Sequence, residues 1–321
     1  VRRAATDLRT WVVAAFALAA VLAGAPAASA APGTIFATVG SPEPGAAQLW
    51  SVREDGTRPK LLRRRMPVTP EGGAAVLARG GKRILCICRD GEINSIRTDG
   101  THLRRLHTLP RDTRYDIVTL SSTGWAFWVK GNKWIVGQKA GAKPRRIATF
   151  SGGAVIDERV VPSPDGRRLA VAVYGPADNV ESVVALRLDG SDRTLVYQGS
   201  GLGKEIYDLA WSADGSQLIF SDGTGGESDP KGELPVHYPR QTFLAPSDGS
   251  NPAGTVVPLP AFNSNPFLSP DGALLAYTAY VEGGPRLTLT GLDGTAPRLL
   301  PATGCRSYCE FAPRVVGWAR G

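Results

Sequence analysis

The sequence predicts an all-β fold: a six-bladed β-propeller of four-stranded antiparallel blades, closed by pairing the C-terminal strand with the N-terminal strands. Three observations predict it. A tight turn feeding an apolar strand recurs as Ser163-Pro164-Asp165-Gly166, Ser212-Ala213-Asp214-Gly215 and Ser269-Pro270-Asp271-Gly272. A second turn glycine follows in every unit, at Gly56, Gly100, Gly141, Gly190, Gly249 and Gly294. The chain ends one strand into a unit whose other strands are found at the opposite terminus. Repetition at this period, with about four strands per repeat, describes blades stacked around an axis.

Taken in order, residues 1–30 read as a signal peptide. Arg2, Arg3 and Arg9 form a basic start, residues 11–22 an apolar core, and Ala28-Ser29-Ala30 a small-residue cleavage site. Cleavage after Ala30 leaves 31–321 as a single propeller domain, expected to be secreted, periplasmic or in the cell envelope and to keep no transmembrane span. Removing Arg2, Arg3, Arg9 and Asp7 lowers the formal charge from +8 to +6. That excess keeps the surface soluble and would suit an anionic polymer. Nucleic acid is not expected for an exported chain without a basic-aromatic stripe.

The propeller begins with strands predicted over 34–39, 48–53 and 59–62. The basic run Lys60, Arg63, Arg64 and Arg65 suits either a polyanion or a charged sheet edge that discourages pairing with other chains. Next comes the apolar strand with Cys86 and Cys88. At i, i+2 they share one face, with β-carbons expected too far apart to bridge, so two buried free thiols are predicted. Cys305 and Cys309 flank a short loop and are predicted to form a disulfide.

The residue before each turn serine, or its equivalent, marks the phase of the repeat: Leu77, Leu120, Pro162, Trp211, Leu268 and Trp318, spaced 43, 42, 49, 57 and 50 residues apart. One unit reads as strands over 206–211, 217–221, 242–245 and 255–259. In the first turn proline presets φ, Asp or Ser bonds the local backbone, and Gly takes a positive φ. Four of the later turns read Asp-Gly-Thr or Asp-Gly-Ser and Ser247-Asp248-Gly249-Ser250 adds a fifth, while Lys139-Ala140-Gly141-Ala142 is degenerate. After Trp318 only Ala319-Arg320-Gly321 remain, so the last unit owns a first strand and the N-terminus must supply the rest.

The Ser-Pro-Asp-Gly turns, the Trp before the serine and the Asp-Gly-Thr hairpins resemble the TolB-like propeller repeats of bacterial periplasmic and secreted proteins. Trp211-Ser212-Ala213-Asp214-Gly215 lies near that pattern, as do Leu268-Ser269-Pro270-Asp271-Gly272 and Pro162-Ser163-Pro164-Asp165-Gly166. The resemblance runs through nearly all of 31–321, with Arg79-Gly80-Gly81 and Ser122-Thr123-Gly124 as eroded copies. It implies a secreted binding scaffold.

Blade topology sorts the loops into two faces. Both turn types share one face. The second-to-third-strand loops and the blade connections share the other, and all long insertions (175–181, 222–240 and 301–310) fall there. Rigid scaffolds carry binding residues on such loops. Asp222, Glu227 and Asp229 offer oxygen donors at a spacing that matches no standard calcium loop, so no metal or cofactor is expected. His237, Tyr238 and Arg240 complete the largest insertion. Tyr115, Asp116, Asp157, Tyr207 and Asp208 fall near the starts of first strands, which face the channel of such rings. An acidic channel mouth for a cation or basic peptide and plain strand-end capping both fit them.

Catalytic motifs are not found: no Gly-x-Ser-x-Gly elbow, no His-Glu-x-x-His and no Cys-His pair occurs. The expectation is a monomeric, non-catalytic propeller that binds a protein or peptide partner in the envelope. The alternative is a carbohydrate-active enzyme (glycosidase or lyase) or sugar-binding protein with its site at the channel mouth. Converging carboxylates in a funnel would favour the latter.

Overall fold

The computed structural model describes residues 32–40, 47–66, 68, 74–88, 90–113, 118–151, 154–175, 181–199, 204–224, 240–260, 263–281, 284–301 and 313–320. These residues form 24 β-strands arranged as six four-stranded antiparallel sheets. The first blade joins β1 (Thr34–Gly40), β2 (Ala47–Arg53) and β3 (Lys60–Met66) to the last strand of the chain, β24 (Arg314–Ala319). The second blade is β4 (Ala75–Leu77), β5 (Arg83–Ile87), β6 (Glu92–Arg97) and β7 (Arg104–Thr108). The third holds β8 (Thr119–Leu120), β9 (Trp125–Lys130), β10 (Trp134–Lys139) and β11 (Arg145–Thr149). The fourth holds β12 (Val155–Pro162), β13 (Arg168–Tyr174), β14 (Glu181–Arg187) and β15 (Thr194–Gln198). The fifth is β16 (Lys204–Trp211), β17 (Gln217–Thr224), β18 (Arg240–Pro246) and β19 (Thr255–Val257). The sixth is β20 (Asn263–Leu268), β21 (Leu274–Val281), β22 (Gly284–Gly291) and β23 (Arg298–Leu299).

The expected closure is present. β24 is the innermost strand of the first blade and pairs antiparallel with β1, from Thr34 opposite Ala319 to Thr38 opposite Arg314. This pairing removes the open sheet edge that an unjoined ring would expose. Gly317 sits at the crowded point of the joint, where an added β-carbon would lie 2.1 Å from Leu77 Cβ in the second blade.

Six apolar clusters fill the six seams between adjacent blades. β13 shows why its apolar run is unbroken. Leu169, Val171 and Val173 pack toward the third blade, while Ala170 and Ala172 face the fifth. Side chains alternate faces along a strand, so a sheet covered on both sides must be apolar at successive positions. The small alanines leave room for Trp211, Tyr197, Phe220 and Phe243, and the Tyr197 and Phe220 rings lie 4.5 Å apart between centroids.

The turns follow the residue chemistry. Ser163 Oγ bonds Asp165 Oδ1 at 2.6 Å and accepts the Arg168 N–H at 2.9 Å, and the same pair of bonds recurs at Ser212 and Ser269. Gly166 adopts φ +71, which an L-side chain resists, and an added β-carbon there would lie 2.6 Å from Thr123 Oγ1. In the Asp-Gly-Thr turns, Asp55 Oδ1 accepts from both the backbone N–H and the hydroxyl of Thr57. Arg168 of the fourth blade donates to Gly215 O and, at 3.2 Å, to Ser247 Oγ, stapling both turns of the fifth blade on one face.

Two boundaries differ from the sequence expectation. The largest insertion was expected over 222–240, yet Asp222 lies inside β17 and Arg240 opens β18, where it pairs with Gly223. The hairpin continues because the ladder is still backed by the neighbouring blade, whatever the local turn-like composition. Cys86 lies in β5, and the Cys88 sulfur accepts from Asn94 Nδ2 at 2.7 Å. Cys88 lies just beyond β5, where the chain leaves the extended path and enters the turn closed by Gly91 N–H to Cys88 O at 3.0 Å. Both thiols are free and buried, as expected. Cys305 and Cys309 lie outside the described residues.

Candidate functional site at the channel mouth

The inner strands line a central channel of about 660 Å³. Four of them are bulged against their second strands: β12 between Ile156 and Val160, β16 between Ile206 and Asp208, β20 between Ser264 and Phe267, and β24 opposite Phe36 and Ala37. A bulge inserts unpaired residues and re-aims their side chains. Here the bulged positions supply channel wall: Arg159, Tyr207, Asn265, Pro266 and Val316. Asn265 holds φ +53, a conformation Asn tolerates better than most residues.

The polar part of the wall centres on Tyr207. Arg240, the first residue after 225–239, places its guanidinium carbon 4.0 Å from the Tyr207 ring centroid. Its Nη1 lies 3.2 Å from Asp208 Oδ2, with side chains only 22% and 15% exposed, so this pair is better shielded than an ordinary surface bridge. Arg159 donates Nε–H to Tyr207 O at 2.9 Å and lies 5.6 Å from the same ring. Burial, then the Glu205 charge and hydrogen bond, push the Tyr207 phenol up to about 12 against the pull of both arginines. Arg314 adds an exposed cation to the wall. Asp208 is the one carboxylate among the described lining residues, and Arg240 holds it.

Behind this wall, an acid–tyrosine cluster occupies the seam between the fourth and fifth blades. Glu181, 1% exposed, opens β14, and its Oε2 accepts the Ile206 N–H. Its Oε1 has no hydrogen-bond partner among the described residues. Burial, reinforced by Glu205 and Asp222, pushes this carboxyl up to about 7, although the Ile206 N–H and Arg159 favour the charge. Tyr197 donates to Asp222 Oδ2 at 2.6 Å, and burial followed by that bond raises its phenol above the ordinary range. Tyr174 is pushed up to about 12 by burial and then by Glu181 and Glu205.

Of the residues singled out in the sequence, Tyr207, Asp208 and Arg240 come together at the channel, and Asp222 sits behind them in the seam. Asp157 lies in β12. Tyr115, Asp116, Glu227, Asp229, His237 and Tyr238 lie outside the described residues. Among the described lining residues the wall is mixed in charge, with Arg159 and Arg314 beside Asp208. The sequence reading missed Arg159, Glu181, Glu205, Tyr174, Tyr197 and Arg314. A signal existed for Arg159, because Asp157-Glu158-Arg159 interrupts an otherwise apolar strand and marks the bulge. None of the described residues form a group of three or more His, Cys, Asp or Glu side chains placed to hold a metal ion.

No protein-family model and no curated relative matches the sequence. Solved structures do. TolB from Acinetobacter baumannii is similar with a TM-score of 0.61 and 16% identity, over 89% of this chain and 66% of that one. This chain therefore spans just under two thirds of that protein's length. A structure of the nidogen/laminin complex is similar with a TM-score of 0.59 and 15% identity, over 89% of this chain and 99% of that one. An oligogalacturonate lyase in complex with manganese follows at a TM-score of 0.47 and 16% identity, over 84% of this chain and 74% of that one. At such identities the first two likenesses show the fold, a six-bladed propeller of the TolB-like kind.

Proposed function

We propose that this propeller is an exported, non-catalytic scaffold that binds a protein or peptide partner in the cell envelope through the face bearing its insertions. The observation that carries the reading is the rim around Tyr207. Arg159, Arg240 and Asp208 surround one aromatic ring at the base of the largest insertion, on a rigid wall that opens into the channel. Aromatic rings flanked by arginines are the residue types that anchor protein interfaces. One similar structure is a nidogen/laminin complex, itself an assembly of proteins. The carbohydrate-active alternative calls for paired carboxylates in the channel. Among the described lining residues Asp208 is the one carboxylate, and its pairing with Arg240 supports the binding reading.

The test is a pull-down from envelope extract with the purified domain and with Arg240→Glu. Recovery of one partner by the parent and its loss from the charge-reversed variant, with unchanged circular dichroism, is the expected result. Equal recovery by both would remove the rim from the binding surface.

A further inference from the structure

The turns before the outermost strands pack, in five of the six blades, against the outer edge of the preceding blade. A β-carbon added at Gly100, Gly190, Gly249 or Gly294 would fall 2.1, 2.7, 2.5 or 2.2 Å from Leu62 O, Ile147 O, Leu195 O or Pro258 O, and one at Gly56 would meet Leu300. The third blade is the exception. Its turn closes on itself, with Ala142 N–H donating to Lys139 O at 2.9 Å and Gln138 Nε2 to Ala142 O at 3.0 Å. Yet no atom beyond the chain neighbours lies within 4 Å of a β-carbon added at Gly141. The outer end of the seam between the second and third blades is left uncovered there.

The same turn is inverted in charge. The other five carry Asp55, Asp99, Asp189, Asp248 and Asp293, whereas residues 139–146 hold Lys139, Lys143, Arg145 and Arg146 and no acid. All four cations are exposed, and none pairs with a carboxylate among the described residues. Arg104, exposed and likewise without an ion pair, stands across the seam. It pairs in register with Ser95, on the face of β6 that Ile93 turns toward the third blade, while Arg146 pairs with Val136, which packs toward the second. Arg145 and Arg146 are held in place, their guanidinium carbons each 5.0 Å from a ring centroid, that of Trp125 and that of Trp134. Stacking fixes the guanidinium plane and leaves its in-plane N–H donors able to take a carboxylate edge-on.

We propose that the lysine turn of the third blade and the seam beside it, from Arg104 to Arg146, bind an extended anionic polysaccharide bearing carboxylates along its length. Five cations without counter-charges on a rigid edge complement a linear row of negative charge. A lipid surface fits this edge less well. The exposed apolar side chains that a membrane would take up from outer strands, Leu195, Val256 and Leu299, sit on β15, β19 and β23 in the other three blades. The site lies apart from the Tyr207 rim and stands without the scaffold reading.

The experiment measures the fluorescence anisotropy of a labelled alginate oligosaccharide, which carries a carboxylate on every sugar, against the folded full chain at low and raised salt. The parent should bind it, lose affinity as salt rises, and ignore labelled neutral dextran. Ala140→Asp with Ala142→Thr rebuilds the Asp-Gly-Thr turn of the other blades, so the thermal midpoint should hold or rise while affinity falls about tenfold through like-charge repulsion. Arg146→Ala should cost about tenfold, the loss of one charge-assisted contact. Lys60→Ala with Arg64→Ala, which strips two cations from the edge of the first blade, should leave the affinity unchanged. No binding by the parent, or full binding by the rebuilt turn, would overturn the proposal. So would equal losses from the first-blade and third-blade variants, which would mean that net charge alone is read. Binding to phosphatidylglycerol vesicles that alginate does not displace would give the edge to a lipid surface and overturn it as well.

Discussion

Tyr197 in the fourth blade donates its phenolic hydrogen to Asp222 in the fifth, 2.6 Å away and out of reach of solvent. The bond crosses a seam otherwise filled by aromatic and aliphatic side chains. Tyr197→Phe keeps the ring contacts but strips Asp222 of that donor. We expect a loss of about 1–3 kcal/mol in urea unfolding, the cost of removing one partner from a buried polar group. No change in midpoint would mean that water replaces the phenol.

Glu181 makes the same seam sensitive to pH. Its folded pKa, about 7, lies above the ordinary 4.5. The protonated form is therefore favoured by folding. Its contribution is complete below about pH 4.5 and is lost as pH rises through about 7, amounting to about 3 kcal/mol across that window. Glu181→Gln should flatten this part of the stability profile and raise the midpoint at pH 8. An unchanged slope between pH 5 and 8 would refute it.

The turn aspartates act in the opposite sense. Hydrogen bonds from Ser212, then from the Ser216 backbone and hydroxyl, hold Asp214 down to about 2. A depressed pKa contributes stability that is present above the ordinary value, 3.8, and lost as pH falls through about 2. Stability should thus peak in mildly acidic solution. Asp214→Ala should erase part of the acid limb and leave the Glu181 limb intact, as paired pH titrations would show.

Closure rests on β24. Removing 313–321 should abolish cooperative unfolding, because the first blade would lose its inner strand and open an edge. A finer probe is Gly317→Val, whose β-carbon would fall 2.1 Å from Leu77 Cβ. We expect overpacking to cost about 1–3 kcal/mol, with partial rescue by Leu77→Gly, which removes the opposing β-carbon. Additive effects of the two substitutions would show that the sites do not touch.

Replacing 226–238 by two glycines should leave the thermal midpoint within a few degrees and weaken partner capture. The cut must stop short of Asp222 and Arg240, which belong to β17 and β18. Loss of soluble protein would show that the insertion contributes to folding.

Much of this molecule follows from local chemistry. Ser-Pro-Asp-Gly and Asp-Gly-Thr dictate turns through side chains that bond their own backbone, so their recurrence counts six units and sets their phase. A terminal half-unit then implies the shared blade, and β24 pairs with β1 accordingly. The channel wall was far less legible. Period-two alternation says which face a side chain takes only while the ladder stays in register, and four inner strands break register. Arg159 and Tyr207 reach the channel through those bulges. Glu181, Asp222 and Tyr197 meet only because adjacent blades pack together. The sequence by itself determined the fold and its closure, since these rest on short-range turn geometry repeated at a fixed period. The tertiary structure decided which charges converge, since that depends on contacts between residues distant in the chain and on bulges that no local pattern encodes.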